Sequence, residues 1–193
     1  MLSAQLDYLL ARHFTLALHA AILFAVGLFV ALPVVRYRLT AIEWLPLKIM
    51  RLVVRMTGER PSLLRTAVVI WLFNSSVMFI CMASGFEPML PKALGIWTGL
   101  NVGVVTAHAG REDDPIGPAF AEGDAGRWRP SGGLALLCGA LVLVLELPCF
   151  WYAIAMGISM GWQVRAQGIP YLHGLQPRAL AYAMVIVPAL LAS

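Results

Sequence analysis

Hydrophobic positions in this chain fall in long blocks rather than in alternation. Phe14 to Val35 is a run of 22 residues with no charged side chain and one histidine, His19. Ala67 to Ser84 is a second block, with Asn74, Ser75 and Ser76 in its middle. Lys92 to Ala109, Gly133 to Trp162 and Ala179 to Leu191 follow. These runs reach or approach the roughly 20 apolar residues that cross a bilayer as a helix. The pattern predicts an all-α polytopic membrane helix bundle, one domain over 1–193, with five transmembrane helices at about 14–35, 67–84, 92–109, 133–162 and 179–191. The fourth block is about 45 Å long if helical throughout, more than a hydrocarbon core of about 30 Å. Pro148 cannot donate to the carbonyl of Val144, so a kink or a break is expected there. A single kinked helix is the favoured reading; two half-helices would make a hairpin and a sixth span.

Polar segments sort the ends of these spans. Arg36 to Arg65 holds seven basic residues and two acids, Glu43 and Glu59. Within it, Leu45, Ile49, Leu52 and Val53 alternate with Lys48, Arg51 and Arg55 at helical spacing. This reads as an amphipathic interfacial helix at about 40–57, its basic side chains directed at lipid headgroups or a partner. The positive-inside bias then puts 36–65 in the cytoplasm and the N-terminus outside. Gly85 to Pro91 becomes a short outer turn, and 110–132, with three basic and five acidic residues, a cytoplasmic polar loop. Gln163 to Arg178, with Pro170, His173 and Pro177, reads as a loop before a short last span.

Composition agrees. Hydrophobic residues make up 60% and charged ones 12%, against roughly 25% charged in a soluble domain. The formal charge of +4 is no nucleic-acid signal, because the basic residues concentrate in one loop. The opening residues lack a basic segment and the apolar run after them is too long for a signal peptide, so the first span is expected to stay as an anchor. Cys81, Cys138 and Cys149 sit in apolar blocks without metal-ligand spacing, and read as small buried hydrophobes.

Candidate chemistry is sparse. Gly95, Gly99 and Gly103 recur every four residues, and Gly157 and Gly161 repeat the spacing. Such rows let helix backbones approach closely, within the fold or between chains. Glu146 is the one carboxylate between Arg129 and Arg165. An ionisable group inside a membrane marks a functional-site candidate. With Asn74, Ser75, Thr98 and Asn101 it forms a set expected to hydrogen-bond between helices, either as a packing network or as a proton or ion relay. Four histidines, His13, His19, His108 and His173, leave haem open but show no ligand pair at helical spacing. No metal, cofactor or catalytic residue is expected, and enzymatic action by this chain alone is not.

Phe73-Asn-Ser-Ser-Val-Met-Phe79, Leu94 to Gly103, and Glu146-Leu-Pro148 followed by Gly157 and Gly161 resemble the stage II sporulation protein M family over about 70–162. Asn74-Ser75 stands where the family has paired asparagines, and Leu141 to Leu143 where it often has Pro-His-Gly. The resemblance implies a membrane scaffold; in spore formers the family member works with peptidoglycan-degrading partners. Twelve Arg against two Lys hint at a GC-rich genome. The expected function is therefore a non-enzymatic scaffold or assembly subunit of a larger complex in the bacterial cytoplasmic membrane, contacting lipids and other membrane subunits or itself. Alternatives are the permease subunit of an ATPase-driven exporter, and an accessory subunit of an energy-converting complex that binds lipid, pigment or quinone.

Overall fold

The computed structural model describes residues 2–57, 63–108 and 132–191. All its regular elements are helical: α1 (Leu2–Arg36), α2 (Thr40–Thr57), α3 (Leu63–Ala83), α4 (Leu90–His108), α5 (Gly132–Gln167) and α6 (Tyr171–Leu191). A short 3₁₀ turn, Ser84–Phe86, joins α3 to α4. Among the described residues, three helices are long and apolar enough to cross a membrane: Ser3–Arg36, Leu64–Phe86 and Tyr171–Leu191. Apart from Gly132, the polar loop expected at 110–132 lies outside the described residues, as does the Cys138 side chain.

Glycine sets the closest helix contact. α1 and α4 run parallel, and Gly95, Gly99 and Gly103 pack in register against Leu23, Phe24 with Gly27, and Ala31. A Cβ on Gly99 would collide with the carbonyl oxygen of Phe24, and one on Gly27 with that of Ile96. The approach is thus backbone to backbone, which is what small residues at this spacing permit in lipid. Gly157 and Gly161 let α5 pass as closely over Cys81, Gly85 and Pro88. Both rows are used within the chain.

α5 is the central helix. Ala153, Ile154, Ala155, Met156 and Met160 are fully buried, packed among α1, α3 and α6. A second cluster joins Ala31, Val34 and Val35 of α1 to Leu47 of α2 and to Leu100 and Val104 of α4.

Several boundaries differ from the sequence expectation. α1 begins at Leu2 rather than at Phe14. Leu9 and His13 are buried, so the mixed N-terminal residues extend the helix along its packed face. α5 runs unbroken through Pro148, so the hairpin alternative does not form. The loop expected over Gln163 to Arg178 shrinks to Gly168–Pro170. Gly168 takes a left-handed φ of 65°, and Pro170 caps the next helix. The prolines mislead because Pro170 initiates a helix and Pro177 sits within one. Near the end of α6 the helix widens into a π turn at Tyr182–Ile186.

α2 rotates differently from the pattern drawn for it. Glu43, Pro46, Leu47 and Val53 face the bundle, whereas Leu45 and Leu52 point outward. They share that outer face with Lys48, Arg51 and Arg55, all exposed. The Lys48 ammonium sits 4.5 Å from the centre of the Trp44 ring. An outer face mixing Trp, Leu, Lys and Arg suits the headgroup boundary.

Candidate functional site

Three polar assemblies lie at different depths of the bundle. In the middle, Asn74 on α3 donates its side-chain amide to Glu146 Oε2 on α5 at 3.0 Å. Ser75 contributes through its backbone: its carbonyl accepts the hydroxyl of Tyr182 from the π turn of α6. A π turn inserts an extra residue and re-aims its side chains. Here it lets Tyr182 reach across to α3. The hydroxyl of Ser75 itself is buried without a partner among the described residues.

Thr98 and Asn101 stand apart from this pair. They lie on α4, across a lateral cleft that Asn74 also lines. The Oδ1 of Asn101 is buried without a hydrogen-bond partner among the described residues. The five-residue network expected from the sequence is thus one bonded pair, one backbone acceptor and two residues on the opposite wall.

The cleft measures about 440 Å3 and lies among α2, α3 and α4, with Phe150 of α5 at its back. Ile49, Met50 and Val53 close it from α2; Met78 and Trp97 form its sides. A neighbouring groove of about 370 Å3 lies on the other side of Asn74, lined by Trp71, Glu146 and Leu190.

At the end of the bundle that holds the start of α6 sits a second assembly, built on Arg178, which is 1% exposed. Its Nε donates to the Met156 carbonyl at 3.1 Å. Nη2 donates to Ser159 Oγ at 2.8 Å and to Gln163 Oε1 at 3.0 Å. Nη1 donates to the Gly174 carbonyl. His13 of α1 completes the group. Its Nδ1 lies 3.4 Å from the Tyr8 carbonyl and its Nε2 3.0 Å from Ser159 Oγ. The Ser159 hydroxyl also lies 3.2 Å from the Met156 carbonyl, and its one proton serves either that carbonyl or His13 Nε2, which decides the tautomer of the ring. Arg178, Ser159, His13 and Tyr8 form one connected group that ties α6, α5 and α1 together. Ser159 beside a histidine resembles a nucleophile and its base. Its oxygen, however, is occupied by two Arg178 donors and turned into the core.

The third assembly is at the opposite end, where α4 finishes. Glu43, 7% exposed on α2, places Oε2 3.5 Å from Nε2 of His108 in the last turn of α4. This contact pins the amphipathic helix to the bundle.

Sequence reading missed the second and third groups. Arg178 falls in the segment expected as a loop; in a helix that starts at Tyr171 it is a cation in an apolar helix, the signal that marks such a position. Glu43 looked like one acid in a basic segment, and nothing local marked it as buried. His13 and His108, read as loop or span-end residues, are each bound to another element. Among the described residues no three His, Cys, Asp or Glu side chains group as metal ligands. Cys81 and Cys149 are buried and unpaired.

A family model described as stage II sporulation protein M matches residues 20–193. No curated protein and no solved structure matches the chain significantly.

Proposed function

Given that the chain belongs to the stage II sporulation protein M family, we propose that it is a non-enzymatic, multi-pass scaffold subunit of a larger complex in the bacterial cytoplasmic membrane. One observation carries the proposal. The intramembrane polar groups join helix to helix: Asn74 to Glu146, Tyr182 to Ser75, and Arg178 to Ser159 and Gln163. Polar side chains spent in this way build a rigid body rather than a path for an ion. Such a body offers long apolar faces, among them Phe14, Leu18, Ile22 and Phe29 along one side of α1. These faces suit lipid or the helices of another subunit.

In this reading α1, α3, α4, α5 and α6 are the five spans and α2 lies in the inner interface. The N-terminus is outside, and 36–65 and 110–132 are cytoplasmic. The exposed Lys48, Arg51 and Arg55 support that orientation. The scaffold works without a cofactor.

Purification from native membranes in a mild detergent tests the proposal. Other membrane subunits in fixed ratio are expected, and they should be lost when residues on the open face of α1, such as Leu18 and Ile22, are changed to Ala. A cytoplasmic ATPase docked on α2 would favour the exporter alternative. A stable isolated chain that transports solute in vesicles would overturn the scaffold.

A further inference from the structure

α1 carries an ionisable side chain on its open face. His19 lies inside the uncharged run Phe14 to Val35, in a helix long and apolar enough to cross a membrane, and it is exposed. By contrast, His13, Glu146 and Arg178 turn inward and bond across to other helices. Ionisable groups inside a span almost always face protein or a water-filled cavity. An outward His19 therefore marks a face that another helix covers. Its ring is held in place, with Nδ1 2.8 Å from the Thr15 carbonyl. A carbonyl only accepts, so in the neutral ring Nδ1 carries the proton and Nε2 is an acceptor. Hydrocarbon offers that acceptor no donor.

The surrounding face is laid out for a second helix. Ala11, Thr15, Leu18, Ile22, Phe29 and Leu32 follow one another at intervals of three, four or seven residues, and all are exposed. Such spacing forms the seam of a left-handed helix pair. The seam is about 31 Å long, which matches a hydrocarbon core of about 30 Å. The bundle itself packs on the other side of α1, through Ala17, Ala20, Phe24 and Ala31, so the seam stays open.

Two features choose the occupant. The face holds both halves of a hydrogen bond, because the Thr15 hydroxyl can donate and His19 Nε2 accepts. Helical side chains lean toward the N-terminus, and the bond to the Thr15 carbonyl draws the His19 ring back toward the depth of Thr15. Every copy of a membrane protein also inserts the same way up. Two α1 helices therefore meet in parallel, with each Thr15 at one depth, and a two-fold axis along the membrane normal makes every contact reciprocal. We infer that a second copy of this chain covers the seam, α1 against α1, with Thr15 of each copy donating to His19 Nε2 of the other. A foreign helix must bring its own donor to that depth; a second copy brings one by symmetry. The inference deepens the scaffold reading and rests on it for what the pair then holds, while association of two copies is a property of the chain alone.

The purified full chain, free of other subunits, is labelled with donor and acceptor dyes and reconstituted in vesicles over a range of protein-to-lipid ratios. Energy transfer that saturates at two copies is expected. His19→Leu and Thr15→Val, both at exposed positions outside the core, should each weaken association roughly fivefold to tenfold. The double variant should be little weaker than either, because the two changes break the same bonds. Leu18→Cys and Ile22→Cys should cross-link between copies, whereas Phe79→Cys and Ile80→Cys, exposed on α3, should not. A chain that stays monomeric at every ratio would overturn the inference and leave the scaffold reading standing with a different partner on α1. Association unchanged in both polar variants, or cross-links through α3 instead of α1, would overturn it too. A two-copy assembly purified from native membranes with no other subunit would support the inference and count against the scaffold reading.

Discussion

The side-chain amide of Asn74 donates to the carboxylate of Glu146 across the α3–α5 contact, joining two residues 72 positions apart. Their bond separates the lateral cleft from the neighbouring groove, since Asn74 lines both. Replacing Glu146 by Gln keeps an acceptor in place, and stability in detergent is expected to change by less than about 0.5 kcal/mol. Glu146→Leu strands the Asn74 donor and should cost about 1–3 kcal/mol. Thermal or denaturant unfolding in a fixed detergent compares the two. Equal losses would show that the charge, and not the hydrogen bond, holds the pair.

Arg178 is expected to be the most sensitive polar position of the described residues. Arg178→Leu leaves the carbonyls of Met156 and Gly174 and the oxygens of Ser159 and Gln163 without their donors. At about 1 kcal/mol per lost bond the loss reaches about 3 kcal/mol or more. Arg178→Lys restores the charge but not the planar fork, and should fall between Leu and wild type. His13→Ala removes one end of that group and should cost about 1 kcal/mol. Unfolding midpoints of the three variants give the order. A Lys variant as damaged as Leu would mean the guanidinium geometry alone matters.

Gly99→Ala should separate α1 from α4, because its Cβ would overlap the Phe24 carbonyl. A loss of about 1–3 kcal/mol is expected, typical of overpacking. Gly168→Ala has open space around it but a φ of 65°, and should cost only about 1 kcal/mol through backbone strain. Cysteine cross-linking between Leu28 and Val102 positions, done with each variant, distinguishes helix separation from a local effect.

Arg38 ends α1 in a left-handed conformation, φ 50°. The Leu39 amide bonds back to the Val34 carbonyl at 3.0 Å and the Arg38 amide to that of Val35 at 3.3 Å. This is the Schellman arrangement that favours glycine. Arg38→Gly should therefore stabilise the chain, by up to about 1 kcal/mol. A lower melting temperature would mean that the Arg38 charge contributes more than its backbone strain costs.

Glu43→Ala should loosen α2 by removing its contact to His108. Trypsin cleavage after Arg51 or Arg55, both exposed on that helix, is expected to accelerate several-fold. His108→Ala should do the same, and the double variant should add little, as expected for two ends of one contact. Additive effects would show that Glu43 and His108 act separately.

The sequence reading located the centre of the molecule and misplaced its rim. Asn74, Glu146 and the glycine rows were visible because each breaks an apolar run, where the cost of a polar group or a missing side chain is plain. Arg178 was hidden by Pro170 and Pro177, which signal loops in isolation but here open and occupy a helix. The rotation of α2 was hidden because both of its faces carry apolar residues.

By itself the sequence determined a helical membrane protein of a known family, since hydropathy is a local sum and reports directly on transfer into lipid. Tertiary structure alone decided which polar groups meet. His13 reaches Ser159 across 146 residues, while Asn101 is left facing a cleft instead of joining Glu146. That choice depends on the depth and rotation of each helix. These are set by the glycine contact of α1 with α4, by the closeness of α5 to the 3₁₀ turn and by the π turn of α6, and none of them is written in any single segment.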